Sequence, residues 1–248
     1  MGRPERVVAR LQTVRRLPKR QAVRKAVAQA RLFARASANL PEQELRAGQG
    51  TRRVPKKRAE IEDNPNLVPV YQDEVHFQVQ TTITRGWYKR GSEPRVKSFP
   101  GRDKVSYSGF VRPDTGELAV FKPPWFDYKT TIDCVREFIR KNPLDKGRRF
   151  AMIMDNAPWH RKLFRLIEDE KRPEYADIRE KVAFVRLPPY SPDLNPIEQV
   201  WRVTRRENTH NVFFENRASL EGAVDTAFLR WSEPNAQLRS LCSFKRKD

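Results

Sequence analysis

The sequence predicts an α/β fold, a mixed sheet flanked by helices, preceded by a basic helical arm. Segments with strand character alternate with segments of helical periodicity after about residue 61, which predicts the sheet and its helices. Of the 248 residues, 38% are hydrophobic and 10% aromatic, enough for a real core. The arm follows from charge: residues 1–60 carry 17 Lys/Arg against 4 Asp/Glu, so they hold +13 of the formal +19.

The arm is predicted to be helical over residues 1–45, where apolar residues such as Val23, Val27 and Phe33 recur at helical spacing. A linker rich in Gly, Pro and charge spans about 46–66. Nucleic acid is the obvious partner for so basic a segment, and a solvated helix or tail without a specific partner is the alternative. The predicted domains are the arm and linker, the body and a basic C-terminal tail: 1–60, 61–235 and 236–248.

The body is predicted element by element. Four regions are apolar or β-branched and read as strands, with a Pro-Asp-Thr-Gly turn (113–116) dividing the second into a hairpin: 67–77, 104–126, 150–156 and 182–187. Three regions place apolar residues at helical spacing: 130–142, 162–170 and 197–207. This order indicates a mixed sheet with helices packed on its faces.

Composition and motifs exclude several classes of protein. Two cysteines are too few for a disulfide framework or a cysteine-built zinc site, and they favour a reducing intracellular location. Neither a membrane-spanning apolar run nor a signal peptide is visible, so no membrane partner is expected. The absence of a glycine-rich phosphate loop argues against a nucleotide cofactor.

Three acidic residues stand where acids are hardest to explain by structure. Asp73 lies in the first strand, Asp155 follows the apolar strand Met152-Ile153-Met154, and Glu198 begins the last helix. A carboxylate at such a strand end is costly to desolvate unless a cation or a donor compensates it. Each also has a structural explanation: a turn cap for Asp73, a strand end for Asp155, and the third position of a capped helix for Glu198. If the strands predicted over 67–77 and 150–156 are neighbours, both aspartates meet at one edge of the sheet. Glu198 would then complete an all-oxygen shell for Mg²⁺ or Mn²⁺.

The acidic residues lie in three blocks, YQDEVHF (71–77), MIMDNAPWH (152–160) and LPPYSPDLNPIEQVW (187–201). These closely resemble the catalytic blocks of mariner-type DDE transposases, in the prokaryotic insertion-sequence branch of these mobile elements. Their spacing agrees, with 82 positions from Asp73 to Asp155 and 43 from Asp155 to Glu198. The resemblance covers about residues 60–230.

The resemblance implies a ribonuclease H-like fold, a catalytic and metal-binding triad of Asp73, Asp155 and Glu198, and two Mg²⁺ (or Mn²⁺) ions. It implies cleavage of double-stranded DNA at transposon terminal inverted repeats and strand transfer into target DNA, by a homodimer assembled on DNA in the prokaryotic cytoplasm, associated with the nucleoid. Glu74 is left out of the triad because strand alternation points it to the opposite face.

Six residues are candidates for DNA contact: Arg85, Trp87, Lys89, His160, Arg205 and Arg206. They come from the aromatic-basic segment RGWYKRG (85–91), from the second block and from the basic stretch 205–214. Structural roles remain open for the aromatic residues and for His160, which is alternatively a residue that orients a carboxylate.

Two rival functions remain at this stage. Such transposases usually carry a larger N-terminal region, so the arm is either a reduced DNA-binding unit or part of a truncated copy. A truncated or inactive transposase would act only as a DNA-binding protein. A related ribonuclease H-like nuclease would cleave without joining strands.

Overall fold

The computed structural model describes residues 7–10, 61, 64–98, 101–189 and 191–243. Its strands are β1 (Val7–Arg10), β2 (Leu67–Gln78), β3 (Arg95–Ser98), β4 (Lys104–Arg112), β5 (Glu117–Phe121), β6 (Arg149–Met154) and β7 (Val182–Arg186). Five of them form one mixed sheet in the order β5–β4–β2–β6–β7, and β1 pairs with β3 in a separate two-stranded sheet.

The helices of this part of the chain are α1 (Tyr128–Lys141), α2 (Pro158–Glu168), α3 (Ala176–Lys181), α4 (Ile197–Thr204), α5 (Arg217–Leu229) and α6 (Ala236–Cys242). Short 3₁₀ turns occur at Pro173–Tyr175 and Pro192–Leu194, and a π-helical turn, Arg205–Thr209, extends α4. None of the helices so described has the length and apolar character needed to cross a membrane.

The central strand β2 pairs with one neighbour in each direction. It runs parallel to β6, with Tyr71 opposite Ile153, and antiparallel to β4, with Asp73 opposite Gly109. The strands predicted over 67–77 and 150–156 are therefore neighbours, as the triad requires. Parallel pairing of β6 with β7 and antiparallel pairing of β4 with β5 complete the sheet.

Each face of the sheet carries its own core, because alternate residues of a strand point to opposite faces. On one face Val75 and Phe77 of β2 pack with Trp201 of α4 and with apolar residues of α5 and α6. On the other face Val68 and Val70 pack with α1, α2 and α3. Adjacent residues of β2 thus meet different sets of helices, which decides the surroundings of Asp73 and Glu74.

The predicted strands and helices of the body are confirmed, with shifts of a few residues at their ends. Residues 113–116 form the predicted turn between β4 and β5, where Gly116 adopts a φ of 73° and its N–H donates to Arg112 O over 2.8 Å. Asp127 caps α1: its side chain accepts from Thr130 N at 2.8 Å, and its own N–H donates to Thr130 Oγ1. The helix predicted over 197–207 gives way to the π-helical turn after Thr204.

The structure differs from two predicted elements. Residues 7–10 of the arm form strand β1, where β-branched Val7 and Val8 suit a strand, instead of part of a helix; the other residues of the predicted arm lie outside the described part. Residues 236–242, predicted as tail, form α6, whose Leu238 and Cys242 are buried in the core. The folded body therefore extends past residue 235 because the tail carries apolar residues at helical spacing.

Candidate active site

The pairing of β2 with β6 brings the two aspartates to the same cleft. The parallel register places Tyr71 opposite Ile153, and both residues belong to the core on the α4 face. Two residues further along each strand stand Asp73 and Asp155. Neighbouring strands lie about 4.8 Å apart, so the same register directs both carboxylates to the cleft on this face.

Glu198 reaches the same place from α4. The 3₁₀ turn Pro192–Leu194 leads into Asn195, whose side chain donates to Gln72 O over 3.2 Å and fixes the start of α4 against β2. Glu198 lies in the first turn of α4. An open cleft of about 460 Å³ is lined by all three carboxylates together with the following residues: Asn156, Ala157, Arg161, Leu187, Pro188, Pro189, Ser191, Pro192 and Asn195.

Asp73 is electrostatically strained. Burial, followed by repulsion from Glu198 and then Glu74, raises its pKa to about 8. Trp201 acts against these effects, because its indole Nε1–H donates to Asp73 Oδ2 over 3.0 Å. At neutral pH this carboxylate is therefore a group that a nearby cation would stabilise.

Asp155 has the opposite environment. A hydrogen bond from His160 lowers the pKa of Asp155 below its ordinary range, and the Ala157 N–H donates to the same carboxylate at 2.9 Å. Burial disfavours the charged imidazole of His160, but hydrogen bonds to Asp155 and Glu74 outweigh it and raise the pKa of His160 to about 9. Asp155 is accordingly an ionised carboxylate at neutral pH.

Glu74 points to the opposite face from Asp73, as predicted, and it contacts His160 of α2 while Asp73 contacts Trp201 of α4. The sequence did not predict that Glu74 contacts the site through His160, which lies between Glu74 and Asp155. The only available signal was a glutamate inside a buried strand next to the first aspartate.

The chemistry of the three carboxylates fits divalent cations. Carboxylate oxygens are the ligands that Mg²⁺ and Mn²⁺ prefer, and a cation would offset the burial and repulsion that raise the pKa of Asp73. Within the residues that the structure describes, no three His, Cys, Asp or Glu side chains converge closely enough to form a ready-made metal cluster. The triad thus lines a common cleft with the right donor set.

The predicted DNA-contact residues lie outside this cleft. Trp87 is 93% exposed and stands between the exposed side chains of Arg85 and Lys89. Arg205 donates to His76 O over 3.5 Å and packs over the Phe77 ring. Arg206 is exposed and pairs with Glu207.

The position of His160 does not support the predicted contact with DNA. Its side chain is fully buried, and both ring nitrogens are bonded to carboxylates. The alternative that His160 orients a carboxylate agrees with these contacts. Sequence reasoning missed Arg161, an exposed residue that lines the cleft one position later and brings positive charge to it.

Trp201→Phe removes the indole N–H that donates to Asp73 and leaves a small void. We therefore expect any catalytic activity of the site to fall about 10–100-fold, with a loss of roughly 1–3 kcal/mol in stability. Trp231→Phe is a matched control: Trp231 is equally buried, and its Nε1 has no hydrogen-bond partner among the described residues. We expect this control to change stability without changing the rate. Equal rates for both variants, measured with purified protein, would contradict a role for the Trp201 N–H.

Comparison with known proteins assigns the fold to a family. Residues 68–221, which include all three carboxylates, match the model of the family described as DDE superfamily endonuclease. An uncharacterized protein of Sinorhizobium fredii (strain NBRC 101917 / NGR234), y4pE/y4sA, is 30% identical over 108 residues, which are 44% of this chain and 70% of that protein.

Solved structures of the Mos1 mariner transposase are also similar. The paired-end complex with Mn has a TM-score of 0.55 and 18% identity over 82% of this chain and 60% of that chain. The paired-end complex with the left transposon end has a TM-score of 0.52 and 17% identity over 81% and 58%. The chain therefore spans about 60% of the length of these transposase chains. At this identity the likeness concerns the fold, and it confirms the predicted ribonuclease H-like sheet flanked by helices.

Proposed function

Since the chain belongs to the DDE superfamily endonuclease family, we propose that it is a transposase that cleaves DNA at transposon ends and joins the freed end to a target. The observation that carries this proposal is the gathering of Asp73, Asp155 and Glu198 around one cleft, although 82 and 43 positions separate them in the chain. Local structural roles for three separate acids do not explain why all three line one cleft.

The three carboxylates are the groups that would hold divalent metal ions. Two such ions, when bound, supply activation of a water or 3′-hydroxyl nucleophile and stabilisation of the leaving 3′-oxygen. The similar Mos1 structures include paired-end complexes with Mn and with Mg, which supports the same choice of ions here. The chain's own residues orient the carboxylates: Trp201 holds Asp73, while Ala157 and His160 hold Asp155.

Double-stranded DNA is the proposed substrate. Arg161 places a cation at the carboxylate cleft, where it would attract a phosphate. The exposed aromatic-basic segment 85–91 and the net +13 of residues 1–60 would hold flanking DNA through stacking and phosphate contacts. The similar Mos1 structures are paired-end complexes, one of them with the left transposon end, which supports transposon ends as the DNA. The proposed assembly on these ends is a homodimer.

A cleavage assay tests the proposal. Supercoiled plasmid carrying the DNA that flanks the coding region on both sides should be nicked in Mg²⁺ and left intact with a chelator. Asp155→Asn removes one ionised carboxylate oxygen while preserving shape, so nicking should fall to background with the thermal unfolding transition retained. Activity in the folded Asp155→Asn protein would overturn the mechanism. Salt-sensitive DNA binding without any metal-dependent cleavage by the wild type would favour a DNA-binding protein, and cleavage without joining would favour a nuclease.

A further inference from the structure

A buried chain of polar side chains runs from the interior of the sheet to Asp155. His160 on α2 bridges two carboxylates, with Nδ1 2.6 Å from Asp155 Oδ1 and Nε2 3.0 Å from Glu74 Oε1. The side chain of His160 is fully buried, and that of Glu74 is only 8% exposed. Both residues therefore lie out of reach of DNA.

Glu74 is itself anchored to the sheet. Gln72 donates through Nε2 to Glu74 Oε1 over 2.9 Å and to Ser108 Oγ over 3.1 Å. Gln72 and Ser108 are buried on the neighbouring strands β2 and β4. The position of Glu74 is thus fixed by buried hydrogen bonds within the sheet, and Glu74 in turn bonds to His160.

The contacts on Asp155 are selective between its two oxygens. His160 and the Ala157 N–H both bond to Oδ1, at 2.6 and 2.9 Å. Within the described residues this leaves Oδ2 free of hydrogen bonds, on a side chain that is 53% exposed at the cleft. Two donors on one oxygen fix the carboxylate plane and present the other oxygen to the cleft.

We propose that Glu74 and His160 are a positioning pair that holds Asp155 in the orientation needed to bind a divalent metal ion. The inference rests on the proposed function. Glu74 is then part of the site without being a ligand, because it acts through His160 from the opposite face of the sheet. Partners of this kind, one shell beyond the ligands, typically change metal affinity about 10–100-fold when they are removed.

Titration calorimetry with Mn²⁺ on the full chain, without DNA, tests the pair. Glu74→Ala and His160→Phe should each weaken Mn²⁺ binding about 10–100-fold. The Mn²⁺ affinity of Glu74→Gln should stay within about threefold of the wild-type affinity, since the glutamine amide oxygen still accepts a hydrogen bond from His160. This rescue by the conservative variant separates positioning from charge. A further expectation is that excess Mn²⁺ restores DNA nicking in His160→Phe but not in Asp155→Asn.

Two further variants serve as controls, one for misfolding and one for the loss of a buried hydrogen bond elsewhere. The double variant Glu74→Gln/His160→Phe leaves no unpaired buried charge, so it should fold even where Glu74→Ala does not, and it should bind Mn²⁺ as weakly as His160→Phe. Tyr107→Phe removes the hydrogen bond from a buried hydroxyl to Asp225 on α5 and should leave Mn²⁺ binding unchanged. Thermal unfolding reports whether each variant is folded.

The possible outcomes separate the two claims. If Asp155→Asn loses Mn²⁺ binding while the folded double variant binds like the wild type, the positioning pair is overturned and the proposed function stands. A loss in Glu74→Gln as large as that in His160→Phe would also overturn the pair, because charge and not position would then matter. If the wild type binds no Mn²⁺, or Asp155→Asn binds it equally well, the proposed function falls and the pair with it.

Discussion

Asp73→Asn is expected to abolish metal-dependent DNA cleavage and, at the same time, to stabilise the metal-free protein. Cleavage should fall about 10³-fold or more, because a ligand that stabilises charge in the transition state supplies several kcal/mol. Stability should rise because burial and repulsion from Glu198 and Glu74 oppose the ionised form of Asp73. Asparagine removes that charge, and its side-chain oxygen still accepts the hydrogen bond from Trp201.

The stability gained by Asp73→Asn should increase as pH rises. The pKa of Asp73 is raised to about 8 in the folded protein, while an unfolded aspartate titrates near pH 4, at about 3.9. Between these values the folded state binds a proton that the unfolded state has lost, so the contribution of Asp73 to stability falls as pH rises. The stability advantage of Asp73→Asn should therefore be on the order of 1.4 kcal/mol near pH 5, about one unit above the unfolded pKa, and reach several kcal/mol near pH 8.

Denaturant unfolding of both proteins at pH 5 and pH 8, without metal, measures this difference. Taking the difference between variant and wild type cancels groups that titrate in both, such as His160. Asp133→Asn is the control, because Asp133 is an exposed residue on α1. Its free energy of unfolding should lie within about 0.5 kcal/mol of the wild-type value at both pH values. Mn²⁺ should stabilise the wild type and not Asp73→Asn. If Asp73→Asn were more stable than the wild type by the same amount at both pH values, the raised pKa of Asp73 would be contradicted.

The two aspartates of the triad could be predicted from sequence because both stand at or beside apolar strands, where a carboxylate is costly to bury. Asp73 interrupts an apolar strand, and Asp155 follows another, so parallel pairing of these strands brings them together by register alone. Glu198 needed more than local reasoning, since its position also suits a helix start. The resemblance of the third block, LPPYSPDLNPIEQVW, identified it, and in the structure Glu198 lines the same cleft as the two aspartates.

The supporting contacts could not be predicted, because they depend on which helix covers which face. Alternation along β2 predicts that Asp73 and Glu74 point apart, but not that α4 brings Trp201 to one and α2 brings His160 to the other. These partners lie 128 and 86 positions away. Helix α6 was missed for a related reason: its apolar face is short, and its burial against the core is a tertiary property.

Gly109→Ala is expected to damage the site from the opposite strand. Gly109 lies on β4 directly across from Asp73, where the Trp201 ring crosses the sheet. A methyl group here would overlap the ring, with Cζ2 at 2.7 Å, and would crowd Ile197 Cδ1 at 3.1 Å. Trp201 cannot simply move away, because it is only 1% exposed and packs against Phe228. Only glycine lets the indole lie close enough to donate to Asp73.

The clash decides the sign of the effect. Alanine in a strand is ordinarily favoured over glycine by about 0.5–1 kcal/mol, but overpacking a buried ring costs about 1–3 kcal/mol or more. We expect a net loss near 2 kcal/mol together with a fall in DNA cleavage, as Trp201 is pushed from Asp73. Gly222→Ala is the control: it lies in α5 with open space around the added methyl group, and it should gain about 0.5–1 kcal/mol.

A double-mutant cycle identifies the cause of the loss. Trp201→Phe removes the ring atoms that an alanine at 109 would overlap, so the two substitutions together should cost clearly less than the sum of their separate effects. Unfolding free energies of the wild type, both single variants and the double variant measure this coupling. Strict additivity would mean that the ring is not what excludes a side chain at 109. A Gly109→Ala protein at least as stable as the wild type would contradict the packing of Trp201 over the sheet, and with it the way Asp73 is held.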